Sequence, residues 1–194
     1  MKRHTVSLPL LALCLALVAV PAMAQQDIYY DNGPVNGQKN AWQINNGYAV
    51  TNSFLGDGLL IFTGVTFWVW LIPGDSIDSI EVSIGSTPFG TNLYDSFFNV
   101  GGSNCFINHF GYNVCQVSVE FNGFFDQNNL WLTLKNAGAT GGDPVYWDQN
   151  AGAGCQSQGC PSRALQRPIT STVVPSETFT TYGVMISEQT DRTH

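Results

Sequence analysis

Apolar and polar residues alternate with a period of two along much of this chain. Ile80, Val82 and Ile84 are interleaved with Glu81 and Ser83, and Val117, Val119 and Phe121 with Ser118 and Glu120. Leu130, Leu132 and Leu134 are interleaved in the same way with Trp131, Thr133 and Lys135. Successive side chains of a strand point to opposite faces, so each stretch predicts a strand with one apolar and one mostly polar face. Residues 48–54, 59–62, 93–98 and 177–186 carry weaker forms of the pattern. No apolar stripe recurs at the 3.6-residue spacing of an amphipathic helix, which predicts little helix.

Turn-forming clusters separate the strands: Asp31-Asn32-Gly33-Pro34, Gly56-Asp57-Gly58, Pro73-Gly74-Asp75, Gly101-Gly102 and Gly141-Gly142. Glycine, asparagine and aspartate supply the backbone conformations that such turns need. Short alternating strands between such turns predict an all-β fold, a single antiparallel β-sandwich of jelly-roll type. No repeat of solenoid length is visible. The sandwich is expected over residues 25–186, followed by a loose polar tail at 187–194.

Residues 1–24 read as a signal peptide rather than as part of the fold. A basic start (Lys2, Arg3, His4) precedes the apolar run LPLLALCLALVAV, and Ala22-Met23-Ala24 has the small-x-small form of a cleavage site. The run is too short for a membrane span, which needs about 20 apolar residues. The mature chain is thus expected to start at Gln25, outside the cytoplasm, either secreted or periplasmic, with no membrane anchor. Losing Lys2 and Arg3 from the seven basic residues leaves five against fourteen acids, a net charge of −9. Such a charge repels phosphate backbones, which argues against nucleic acid as a partner.

Four cysteines remain after cleavage: Cys105, Cys115, Cys155 and Cys160. An even count in an exported chain reads as two disulfides with three possible connectivities, and the short separations favour Cys105–Cys115 and Cys155–Cys160.

Five segments, in order, then carry a resemblance: YYDNGPVNGQKNAWQINNGYAVTNSF (29–54), FWVWLIPGD (67–75), HFGYNVCQVSVEF (109–121), GGDPVYWDQN (141–150) and VVPSETFTTYG (173–183). Together they resemble a family of uncharacterised secreted bacterial proteins, many of which end in a PEP-CTERM sorting tail. The resemblance implies export and a β-sandwich-like domain. This chain departs from the sorted members at Val174-Pro175-Ser176-Glu177, which neither an apolar span nor a basic end follows. A freely secreted protein is the expectation.

Candidate chemistry starts with the aromatic residues. In VTFWVWL (65–71), Val65, Phe67, Val69 and Leu71 share one face, and Trp68 and Trp70 share the other. The Trp face fits a platform for pyranose rings. It also fits a strand buried on both sides, the reading that the high average burial of Trp favours. Trp131 lies on a face with Thr133 and Lys135 and is expected to be the more exposed Trp. In PVYWDQN, Val145 and Trp147 should point to one side of a short strand and Tyr146 and Asp148 to the other.

Loops on a rigid sandwich are frequent ligand sites, so Asp143, Trp147, Asp148 and Trp131 are the candidate ligand contacts. The competing reading of this stretch is a stapled structural turn. Asp143 and Asp148 are also the first candidates for a structural calcium ion, although no EF-hand or RTX pattern is present and no other cofactor is implied. Glu81 and Glu120 would form a glycosidase pair only if their strands were adjacent. A hydrolytic triad would have to use His109, and no GxSxG elbow accompanies it. The function expected is a secreted, non-catalytic extracellular module that binds carbohydrate or exopolysaccharide. The alternatives are a structural or adhesion protein of the cell surface and, behind it, a glycoside hydrolase.

Overall fold

A computed structural model describes residues 27–31, 35, 37, 40–56, 58–149, 163–169, 179–180 and 184–188. Thirteen strands run through them. These are β1 (Asp27–Asp31), β2 (Asn40–Gln43), β3 (Tyr48–Leu55), β4 (Leu60–Leu71), β5 (Ile77–Gly85), β6 (Tyr94–Asn99) and β7 (Ser103–Ile107). β8 (Asn113–Phe125), β9 (Asn129–Ala139), β10 (Tyr146–Gln149), β11 (Arg163–Pro168), β12 (Phe179–Thr180) and β13 (Val184–Glu188) follow. No helix occurs among the described residues. The expected signal peptide at 1–24 and the expected Cys155–Cys160 bridge lie outside them.

The strands form two antiparallel sheets packed face to face, the all-β sandwich that the alternation predicts. One sheet has the order β12-β11-β3-β9-β5-β6. The other is built around β4, whose one edge pairs with β8 from Leu60 to Leu71. The opposite edge of β4 is divided. β13 pairs with Phe62–Phe67, and β10 pairs with Val69 and Trp70. β1 lies outside β13, β2 outside β10 and β7 outside β8. Apart from the hairpins β5–β6, β7–β8 and β11–β12, almost every step along the chain crosses between sheets, a succession shared with jelly rolls.

The inner faces are the apolar sets of the alternating stretches. Ile80, Val82 and Ile84 of β5 and Leu130, Leu132 and Leu134 of β9 meet Phe67, Val69, Val117 and Val119 of the other sheet in one buried cluster. At one end the rings of Tyr30, Phe54, Phe62 and Phe125 follow one another at centroid separations of 5.7, 5.6 and 5.1 Å. Where the register of β4 against β8 shifts, Gly64 lies so close to the Val119 carbonyl that any Cβ would collide with it. A bulge with a glycine lets the long strand bend over the core there.

Two expectations about extents need correction. The 59–62 segment is only the start of a twelve-residue strand. Its continuation is apolar on both faces and so hides the alternation. Ser187 and Glu188, expected in the loose tail, belong to β13 and pair with Ile28 and Asp27 of β1, and residues 189–194 lie outside the described residues.

Candidate functional site

The site is assembled on the outer face of the β4 sheet, where β10, β2 and the β7–β8 hairpin meet. In the register of β10, Tyr146 stands opposite Trp70 and Gln43, Trp147 opposite Val69 and Trp42, and Asp148 opposite Ala41. Neighbours across a ladder share a face. Trp147 therefore points inward with Val69, and Tyr146 and Asp148 point outward with Trp70, as the alternation in PVYWDQN predicts. Val145, just before the strand, is buried. Its N–H donates to Asn45 Oδ1 at 3.0 Å, and Asn45 Nδ2 donates to the Asp143 carbonyl at 2.9 Å. The start of β10 is thus fixed by one buried asparagine.

The β7–β8 hairpin supplies the second wall. β7 pairs with β8 through Ser103, Phe106 and Ile107, with a bulge between Ser103 and Phe106 where Asn104 has φ 50°. The register of Phe106 on Val114 and Ile107 on Asn113 sets Cys105 opposite Cys115, and the two form a disulfide, the pairing that their spacing favours. Asn108 closes the hairpin tip. Its Oδ1 accepts from the N–H groups of Phe110 (3.0 Å) and Tyr112 (2.9 Å), and its own N–H donates to the Tyr112 carbonyl at 2.9 Å. An asparagine that bonds its own turn in this way satisfies the backbone donors of the loop locally.

Between these elements lies an open pocket of about 250 Å³, lined by Asn40, Ala41, Trp70, Phe110, Tyr112 and Tyr146. The rings form a connected wall: Trp70 lies 5.7 Å from Phe110 and 5.8 Å from Tyr112, and Tyr112 meets Tyr146 edge-on at 5.9 Å. Trp70 is nearly buried and its Nε1 donates to Asp148 Oδ1 at 2.5 Å, so the buried carboxylate beside it fixes the indole. Phe110 forms an exposed lip at 53%. Burial, and then the neighbouring Tyr112, raise the pKa of the Tyr146 phenol above its ordinary value. The phenol is therefore a neutral hydroxyl at physiological pH, able to donate and to accept a hydrogen bond.

Of the residues singled out from sequence, Asp148 supports this site from behind rather than lining it. Trp147 is fully buried with its ring on Phe67 at 6.4 Å, which leaves it no surface for a ligand. The Asp143 carbonyl accepts from Asn45 before β10 begins, whereas Asp148 lies within β10 opposite Ala41. Among the described residues no group of three or more His, Cys, Asp and Glu side chains converges.

Trp131, expected to be the exposed Trp, is only 8% exposed. It sits on a central strand opposite Ser53 and Gly85, small neighbours that leave room for an indole to lie against the sheet. The adjoining Thr133 and Thr51 are buried as well and hydrogen-bond to each other at 2.9 Å.

Glu81 and Glu120 belong to different sheets and occupy their opposite outer faces, with the core between them, so no glycosidase pair forms from these two acids. Glu81 is held by Lys135 at 2.9 Å instead. His109 sits at the hairpin tip against the Phe110 ring. The lining residues Asn40, Phe110, Tyr112 and Tyr146 were not selected from sequence. Tyr146 signals itself as an aromatic residue facing away from the core, readable only once β10 and β4 are paired. Phe110 and Tyr112 are aromatic residues of a turn, and Asn40 carries no such signal. The chain matches no protein-family model and no curated protein. No helix among the described residues is long and apolar enough to cross a membrane.

Proposed function

We propose that this protein is a secreted, non-catalytic extracellular module that binds carbohydrate of the exopolysaccharide kind through the aromatic pocket on its outer sheet face. The observation that carries the reading is the ring wall of Trp70, Phe110, Tyr112 and Tyr146 around an open pocket with Asn40 at its edge. Sugar rings have apolar faces and polar rims. Aromatic walls with a few fixed polar groups suit them, since Tyr and Trp join an apolar body to a polar tip. The volume of about 250 Å³ suits a single sugar ring or a group of similar size. Secretion is supported by the cleavage pattern at Ala22-Met23-Ala24 and by the disulfide.

A glycan array followed by calorimetry tests the proposal. Phe110→Ala and Tyr146→Ala should each weaken the binding found while leaving the protein folded. A silent array, or binding indifferent to both substitutions, would overturn it. The second reading, a structural or adhesion protein of the cell surface, is favoured by the exposure of Leu59 (72%) and Phe124 (70%) far from the pocket. It predicts the silent array.

A further inference from the structure

We infer that the pocket is one end of a longer binding strip, and that the ligand is a chain of sugar units rather than a single ring; this rests on the carbohydrate reading above. Trp68 lies two residues before Trp70 on the same outer face of β4, about 7 Å along the strand at ~3.4 Å per residue. It is half-buried, and its ring meets Phe106 of β7 at 6.1 Å. Its cross-strand neighbour is Gln116, whose Oε1 accepts from Asn104 Nδ2 at 2.6 Å. One step further, the hydroxyls of Thr66 and Ser118 lie 2.8 Å apart.

From the pocket outward, one face therefore presents aromatic rings, then amides, then hydroxyls. A single sugar would use the pocket alone. A chain leaving the pocket along β4 would find a second ring pair for its next unit and hydrogen-bonding groups for the rims of both. Between the pocket and Ser118 the strip exposes no charged side chain, since Asp148 is fully buried and Glu120 lies one outward position beyond Ser118, which fits a neutral saccharide.

Two further observations belong to the same strip. Phe106 and Phe110 are 39% and 53% exposed along one hairpin, apolar surface of the kind that marks contact sites. Phe106 is nonetheless held in place. Gly37, at φ +57°, passes so near that a Cβ there would lie 3.1 Å from the Phe106 ring and 3.2 Å from Val114. A buttressed exposed ring loses little freedom on binding, which favours affinity.

The test is calorimetric titration of the full chain with neutral oligosaccharide ladders of one to six units, of the cello-, malto-, xylo- and N-acetylglucosamine series. In at least one ladder the Kd should fall about tenfold or more between one and three units and then level off. Trp68→Ala and Phe106→Ala should each abolish that gain, leaving single-unit affinity within about twofold of the parent. Thermal melts confirm folding, and Trp68→Phe, which keeps a ring against Phe106, should retain part of the gain. Affinity that is flat with chain length, or a gain untouched by both Ala variants, overturns the strip and leaves the pocket standing. A folded protein that binds no saccharide of any length overturns both the strip and the carbohydrate reading, and leaves the apolar hairpin as a protein contact.

Discussion

Replacing Cys105 and Cys115 by serine removes a cross-link between residues ten apart in sequence. In the chain-entropy treatment, a closed loop of about 11 residues restricts the unfolded chain by an amount worth roughly 2.7 kcal/mol at room temperature. For a domain of this length each kcal/mol moves the melting temperature by roughly 2–4 °C, so a fall of about 5–10 °C is expected. The loss should not be spread evenly. All five residues of β7 are exposed, and its ladder to β8 is interrupted by the bulge. Besides the bridge and the Asn108 cap, the hairpin is held by the ring contacts of Phe106 with Trp68 and of Phe110 and Tyr112 with Trp70, fewer supports than the strands beneath have on their buried inner face. Calorimetric melting of the two proteins under non-oxidising conditions, paired with titration of a glycan that the parent binds, measures both effects. The serine variant should melt lower and bind more weakly, because Phe110 and Tyr112 belong to the loosened hairpin. An unchanged melt together with unchanged affinity would refute the claim that the bridge supports this wall.

Asn108→Ala removes the acceptor of two backbone N–H groups, a cost of about 1–3 kcal/mol at ~0.5–1.5 kcal/mol each. Asn108→Asp keeps the oxygen that accepts both bonds and should cost less, and amide hydrogen exchange at Phe110 and Tyr112 reads the difference directly. Asp148→Ala leaves the buried Trp70 indole N–H without its acceptor and should destabilise by about 1–3 kcal/mol in denaturant melts, whereas Asp148→Asn retains an oxygen there and should be milder. Because the folded-state pKa of Tyr146 is raised, its contribution to stability is fully present below the ordinary tyrosine value of 10.0 and is lost as pH rises through the higher folded value. Melting temperatures at stepped alkaline pH should therefore decline less steeply in Tyr146→Phe than in the parent.

The core was largely legible in the sequence because burial on one face writes itself as alternation. β5, β8 and β9 follow from Ile80/Val82/Ile84, Val117/Val119/Phe121 and Leu130/Leu132/Leu134 without any knowledge of partners. Alternation fails where the second face is also covered. Trp131 shares a face with Thr133 and Lys135 and looks exposed, yet it lies on a central strand where Ser53 and Gly85 make space for it. The pocket is less legible still, because its four rings come from three separate places, β4, β10 and the β7–β8 turn. Tyr146 faces Trp70 only after β10 has taken its place beside the last residues of β4. Phe110 and Tyr112 are positioned by a turn whose determinant, Asn108, is one asparagine among many in this chain. Local pattern identified the strand Tyr146–Gln149 within PVYWDQN and its two faces, but the choice of Trp147 as a contact overlooked that the face shared with Val145 is the core face.

The two walls of the pocket differ in how they are held, and this difference has a consequence for binding. Trp70 and Tyr146 stand on paired strands above a packed core, and Trp70 is additionally bonded to Asp148. Phe110 stands on a hairpin tip with half of its surface in water. Opening free energies within one protein range from near zero at exposed loops to the global stability in core strands. Ligand binding can order only what was free to move, so the floor should meet a sugar as a preformed surface and the lip should close on it. A saccharide that occupies the pocket should therefore slow amide exchange at residues 108–112 far more than at 69–71 or 146–148, and uniform protection across both walls would mean that the hairpin is as rigid as the sheet.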